Sequence, residues 1–211
     1  MTGGFQIKTI GLICAVAMIF RCSIYEETVP NAESITPIAW DSFEDSDYQT
    51  AYAKFDEAID VDSRNSDAYH GRAWSSLLMS DVRDAISDFN ASIYYGHSGF
   101  DPVAGLAIAY QADQQYSSAI SKAQSVLSSN SNYYFEHKPL INYRDLYLIL
   151  AMAYFHIGNL TASYDQIIIL EPAISIAQND SSTWKYNEQS YNSYAETLMA
   201  VIDYLDVLYG M

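Results

Sequence analysis

Beyond residue 39, apolar and small residues return at a fixed distance. Trp40 aligns with Trp74, Asp47 with Asp81, Ala51 with Ala85, Phe55 with Phe89 and Ile59 with Ile93, each at the same offset of 34. A further 34 brings Ala107, Tyr116, Ala119, Ile120 and Leu127 onto Ala73, Val82, Ala85, Ile86 and Ile93. Three units in one register, with small and large residues in matching places, define an internal repeat. Asp67 opens the second unit. Asp101 and Pro102 open the third, with Asp as the expected cap and Pro at the first helical position. Near the C-terminus the pattern changes. A polar stretch from Asn179 precedes Leu198, Ile202, Leu205 and Tyr209, which step by four, three and four and predict a helix from about Tyr191 to Tyr209.

The repeating unit resembles the tetratricopeptide repeat, in which a large residue and then a small one mark the first helix. An aromatic, small, aromatic, small series marks the second. Tyr48, Ala51, Phe55 and Ala58 match the second helix of unit one, and Val82, Ala85, Phe89 and Ser92 that of unit two. Tyr69 and Ala73 serve the first helix of unit two; Val103, Ala107, Tyr116 and Ala119 serve unit three, where Ala123 replaces the aromatic. A fourth unit follows with Tyr147, Leu150, Ala151 and Tyr154, then Gly158 and Leu160 at the turn and Pro172 after the second helix. From Tyr116 to Leu160 the spacing is 44 rather than 34, so about ten residues are inserted around Tyr133 to Asn142. The resemblance implies an all-α, right-handed α-solenoid of about four helix pairs. Alanines at the close approaches and aromatics in the grooves agree with it physically. An end unit would expose its stacking face, so the last helix reads as a cap.

The N-terminal segment 1–21 has a different character. Lys8 precedes a run without a charge, Thr9 to Phe20, whose length suits a signal-peptide core and is short for a spanning helix. A positive start, an apolar run and then Cys22 resemble a bacterial lipoprotein signal. That resemblance implies lipidation at Cys22 and a membrane-anchored lipoprotein facing the periplasm. Phe20 and Arg21 stand where such signals place small residues. An uncleaved anchor and ordinary secretion are the other readings. The expected organisation is a signal segment at 1–21, a tether at 22–32, the solenoid at 33–178 and a capping region at 179–211.

Composition narrows the function. Against 26 acidic residues stand 10 basic ones, a net charge of −16, which argues against nucleic-acid binding because phosphate neutralisation needs Lys and Arg. Two cysteines, one inside the apolar run, make neither a disulfide framework nor a zinc site. The histidines at 70, 97, 137 and 156 form no HExxH, and neither a phosphate loop nor a GxSxG elbow occurs. Asp60, Asp62 and Asp67 lack the central glycine and final glutamate of a calcium loop and read as a solvated turn. No enzyme activity, cofactor or metal is expected.

In the tetratricopeptide family the first helices line a concave face that takes a peptide or partner helix. The positions implied here are Trp40 and Phe43, then His70, Trp74 and Leu77, then Ile108 and Gln111, and finally Met152, Phe155 and His156. The two tryptophans form an aromatic ladder along that groove, or else both pack between helices. Glu33, Asp67, Asp101 and Asp145 recur at one position; they read as helix caps, with a negative rim that steers a basic partner as the alternative. The groove positions carry no Lys or Arg, which argues against a clamp for acidic C-termini. The function so expected is a scaffold that binds another protein or peptide, basic by charge complementarity, with a lipid anchor on the membrane. A structural subunit of a membrane-associated assembly or transport complex is the alternative.

Overall fold

The structure is a computed structural model that describes residues 31–210. The expected signal segment, nearly all of the tether and the lipidation position Cys22 lie outside the described residues.

Eight helices form four successive pairs. They are α1 (Ala32–Glu44) with α2 (Tyr48–Val61), α3 (Ser66–Leu78) with α4 (Val82–Tyr94), α5 (Asp101–Ala112) with α6 (Tyr116–Ser129), and α7 (Tyr143–His156) with α8 (Leu160–Leu170). Each helix packs on the next, and the first helices α1, α3, α5 and α7 also touch in succession. They therefore line one face of an all-α solenoid.

The turn inside each pair has the same backbone. Ser46, Ser80, Gln114 and Gly158 occupy its left-handed position, with φ of 64°, 70°, 60° and 79°. Only Gly158 reaches that conformation without a Cβ penalty. Asparagines cap three of the first helices: Asn31 accepts from Ser34 N, Asn65 from Ala68 N and Asn142 from Arg144 N. The recurring acids lie one to three residues further in. Asp67 is inside the first turn of α3, and α5 starts at Asp101 itself after Phe100, which makes no side-chain cap. The acidic repeat thus follows the caps rather than supplying them, except that Asp145 Oδ2 accepts from Asn142 N at 2.7 Å and completes a capping box.

Successive units are joined by a ring seated on bare backbone. A Cβ at Gly71 would collide with the Phe55 ring, and one at Gly105 with the Phe89 ring. Both pairs are one repeat apart, so the second helix of each unit presses its phenylalanine against the first helix of the next. Both rings are fully buried. At the third junction the sizes reverse in the sequence: Ala123 stands in the ring's place and Ile149 in the glycine's, both buried.

A polar staple supports the first junction, between units one and two. Arg72 on α3 forks onto Asp88 of α4, with Nε–Oδ2 at 2.7 Å and Nη2–Oδ1 at 2.8 Å. Its other Nη1 bonds Asp56 of α2, and its guanidinium lies over the rings of Tyr69 and Tyr52. Burial opposes the charge, but Asp88 and Asp56 outweigh it and push Arg72 well above the ordinary guanidinium value.

The far end is covered by α9 (Tyr194–Tyr209), which packs on α7 and α8. Leu198, Val201, Ile202 and Leu205 of α9 bury Leu148, Ala151 and Ile167 in a second core. The connecting segment carries a two-residue hairpin, β1 (Lys185–Tyr186) with β2 (Gln189–Ser190). It is tied back where Tyr164 Oη donates to Ile174 O and accepts from Ile176 N.

The ring-on-glycine contact yields a stability test. Gly105→Ala should lower stability by about 1–3 kcal/mol through overpacking. Combined with Phe89→Leu, the losses should fall short of their sum by about 0.5 kcal/mol or more, because the smaller side chain relieves the clash. Denaturant midpoints of the two single variants and the double variant measure this. Strict additivity would mean that the two residues do not touch.

Candidate functional site

The inserted segment between α6 and α7 folds back into the face of the first helices. It closes on itself: Phe135 N donates to Ile141 O at 2.9 Å, Tyr143 N to Tyr133 O at 2.8 Å, and Tyr134 bridges Asn142. Side chains alternate as on a strand, with Tyr133 and Phe135 buried and Tyr134 and Glu136 exposed. This strap lies over units one and two. Phe135 stacks on Trp74, with ring centroids 4.4 Å apart, and meets Trp40, Phe43 and His70 edge-on. His137 stacks flat on Trp40 at 3.7 Å, and its Nδ1 is 2.8 Å from Glu44 Oε1. Lys138 Nζ donates to Tyr48 Oη at 2.9 Å.

This placement decides between the two readings of the tryptophans. Each ring packs edge-on against its own unit's phenylalanine, Trp40 on Phe55 at 4.8 Å and Trp74 on Phe89 at 5.3 Å. The opposite sides are covered by the strap, and both tryptophans are buried. They are core, and no aromatic ladder is open to solvent. Phe43, His70 and Leu77 are buried with them.

Around His70 the structure gathers Asp67 and His97, with one ligand atom from each within 4.8 Å of the others. The hydrogen bonds decide what this trio is. Trp74 Nε1 donates to His70 Nε2 at 2.9 Å, so the proton of a neutral His70 sits on Nδ1, which is 3.5 Å from Asp67 Oδ1. Gly99 N donates to His97 Nδ1 at 3.1 Å, which leaves Nε2 as its N–H. Both lone pairs are committed, and a metal would have to displace both bonds or both protons. The trio is instead a polar joint centred on the carboxylate. Burial works to raise Asp67, but His70 and the Trp40 Nε1–H, which donates at 3.1 Å, outweigh it and hold the carboxyl below its ordinary value. Burial, aided by His70, lowers His97.

Phe135 and His137 of the strap do not reach units three and four, where the strap's Tyr133 lies near Asp101 and Asp145. There Ile108 and Gln111 of α5 and Asp145, Leu148, Ile149 and Met152 of α7 line a cavity of about 200 Å³, together with Asp206 of α9 and Gly210 just after it. An adjoining cleft of about 370 Å³ runs between the strap and the end of α9, lined by Leu140, Ile141, Arg144, Leu208 and Tyr209 among others. Of the ten positions expected on the concave face, three meet in the smaller cavity: Ile108, Gln111 and Met152. Phe155 packs into the core under α9, and His156 stacks on Tyr116 of α6 with centroids 4.5 Å apart, outside the cavity. Asp145, read from the sequence as a helix-terminus acid with a negative rim as the alternative, is a residue of this cavity. Burial raises its carboxyl to about 6 against the pull of the Asn142 and Asp145 backbone N–H groups and of Arg144.

The helix pairs and their stacking are those of a tetratricopeptide-repeat protein, and the chain has that fold. It is similar to the solved structure of YrrB, a TPR protein with an unusual peptide-binding site, with a TM-score of 0.59 and 17% sequence identity over 84% of this chain and 87% of that one. No family model matches the sequence, and no curated protein matches it.

The raised Asp145 carboxyl sets a pH dependence. Its folded value of about 6 lies above the ordinary 3.8, so between these pH values the folded state holds the proton more often than the unfolded one. Stability from this group is therefore present at pH 4 and is lost as pH rises through 6, by on the order of 2 kcal/mol. The groups facing it are Arg144 on its own helix, Tyr133 of the strap and Asp206 of α9. Asp145→Asn keeps the shape and removes the titration, so its stability relative to the parent chain should rise between pH 4 and pH 7. Urea midpoints at both pH values check this; a difference independent of pH would refute the buried carboxyl.

Proposed function

We propose that the chain is a non-catalytic scaffold, anchored in a bacterial envelope through its N-terminal segment, that binds a partner protein through the uncovered half of its concave face. The observation that carries this reading is the contrast within one face. Units one and two are filled by the chain's own strap, whereas the first helices of units three and four line an open, largely apolar cavity, which adjoins a cleft between the strap and the end of α9. First helices of a repeat solenoid are built as a continuous binding surface, and here only part of that surface is left for another chain. The peptide-binding site of YrrB supports a protein or peptide as the occupant. For the anchor, support comes from the charge-free run Thr9 to Phe20 followed by Cys22. The net charge of −16 favours a basic partner.

Two measurements test it. Cys22→Ser should release the protein from membranes into the soluble envelope fraction, because acyl chains hold firmly where a short apolar run does not. Retention in washed membranes would remove the lipid anchor. A photo-crosslinking amino acid at Met152 should give a defined adduct in cells that the same group at Glu57, on the surface of α2, does not. Identical adducts from the two positions, or adducts from neither, would overturn recognition through this face and favour a structural subunit that docks elsewhere.

A further inference from the structure

We propose that the cavity between α5, α7 and the end of α9 is a subsite for one basic side chain, a lysine or arginine of the partner's bound segment, received by Asp145 and Gln111. This rests on the scaffold reading above and names what the uncovered half of the groove selects.

Two residues that line the cavity hold buried acceptors without a hydrogen-bond partner. Asp145 is only 3% exposed, and its Oδ1 has no hydrogen-bond partner among the described residues; the same is true of the buried Oε1 of Gln111. The other oxygen of Asp145 is committed to the cap of α7, so Oδ1 is held in place by the helix terminus rather than free to turn to water. A buried acceptor without a donor lowers stability by about 1–3 kcal/mol, more when charged. A partner that supplies the donors recovers that loss. The Tyr133 hydroxyl, also buried without a partner near Asp145, carries one donor; a single group that serves both orphan acceptors donates at least twice, as an ammonium or guanidinium does.

Charge and shape point the same way. Asp145 and Asp206 both line the cavity, and no Lys or Arg does among the described residues. The rest of the wall includes Ile108, Leu148, Ile149 and Met152, a surface for the methylene stem of a long basic side chain. At about 200 Å³ the space lies below the roughly 300 Å³ at which pockets for drug-sized ligands begin and suits a single side chain. The adjoining cleft offers Leu140, 81% exposed, and Leu208 to the apolar neighbours of that residue. The occupant is then a segment with a basic residue between apolar ones.

The test uses the full-length chain carrying methyl labels on Ile and Met. It is titrated with two capped pentapeptides, Ala-Leu-Lys-Leu-Ala and the same peptide with norleucine in place of lysine. The lysine peptide should shift the methyl signals of Met152, Ile108 and Ile149 saturably and bind at least tenfold more tightly than the norleucine peptide. Asp145→Asn should abolish that preference, and Gln111→Leu should reduce it at least threefold. Equal affinities for the two peptides, no saturable shift with the lysine peptide, or an unchanged preference in both variants would overturn the proposal. If Asp145→Asn does not fold, Gln111→Leu decides alone by the same threefold criterion. The outcome is separable from the scaffold reading. An adduct at Met152 with no lysine preference keeps the scaffold and removes the basic subsite. A lysine preference without any adduct does the reverse.

Discussion

The architecture depends on one contact, a phenylalanine ring pressed against backbone that has no side chain. Phe55 on Gly71 and Phe89 on Gly105 bring consecutive units closer than any Cβ would allow. Trp40 and Trp74 then brace those same rings from within each unit. Because the ring and the glycine recur at the first two junctions and the tryptophan in the first two units, the spacing of units one to three is written into steric exclusion. Arg72 of α3 adds a directed element at the first junction, where one cation satisfies acids from α2 and α4. A charge so placed is needed because Asp88 is buried there.

The third junction breaks the rule, and the exceptions in the chain gather around it. The ring is replaced by Ala123, the glycine by Ile149, and the insertion enters just between them. That insertion does not loop into solvent. It returns to the first helices and supplies, through Phe135 and His137, the aromatic faces that a bound peptide would otherwise present to Trp40 and Trp74. The strap completes the core of units one and two from outside. Together with α9, which covers the other end of the stack, it leaves a short stretch of concave surface in units three and four.

Electrostatics sharpen what that stretch can accept. Of ten basic residues, Arg72 is consumed inside the stack and Lys138 ties the strap to Tyr48. The acid that recurs at each unit's start performs a different task in each place. Asp67 receives the indole N–H of Trp40 across units; Asp145 caps α7, lines the cavity and keeps its second oxygen buried without a partner. The same local position therefore serves a joint in one unit and a candidate recognition group in another, as its surroundings dictate.

By itself the sequence determined the repeat, the helix pairing and the capping role of the last helix. These rest on local periodicity, and Ala51, Ala85 and Phe89 are fully buried where their spacing placed them. The place of the insertion could be read from the step of 44 between Tyr116 and Leu160, and the alternation of Tyr133 and Phe135 with their neighbours was its only hint of burial. Only the tertiary structure decided that the insertion fills half of the groove, that both tryptophans are core, and that Gln111 and Asp145 face one cavity. The reason is physical. Periodicity reports which face of a helix is apolar, and a tryptophan meets that condition equally under a strap or under a partner. Residues 111 and 145 come together because α5 and α7 touch across the insertion as the other first helices do, and nothing in the local pattern at either position encodes which side chains then share a cavity.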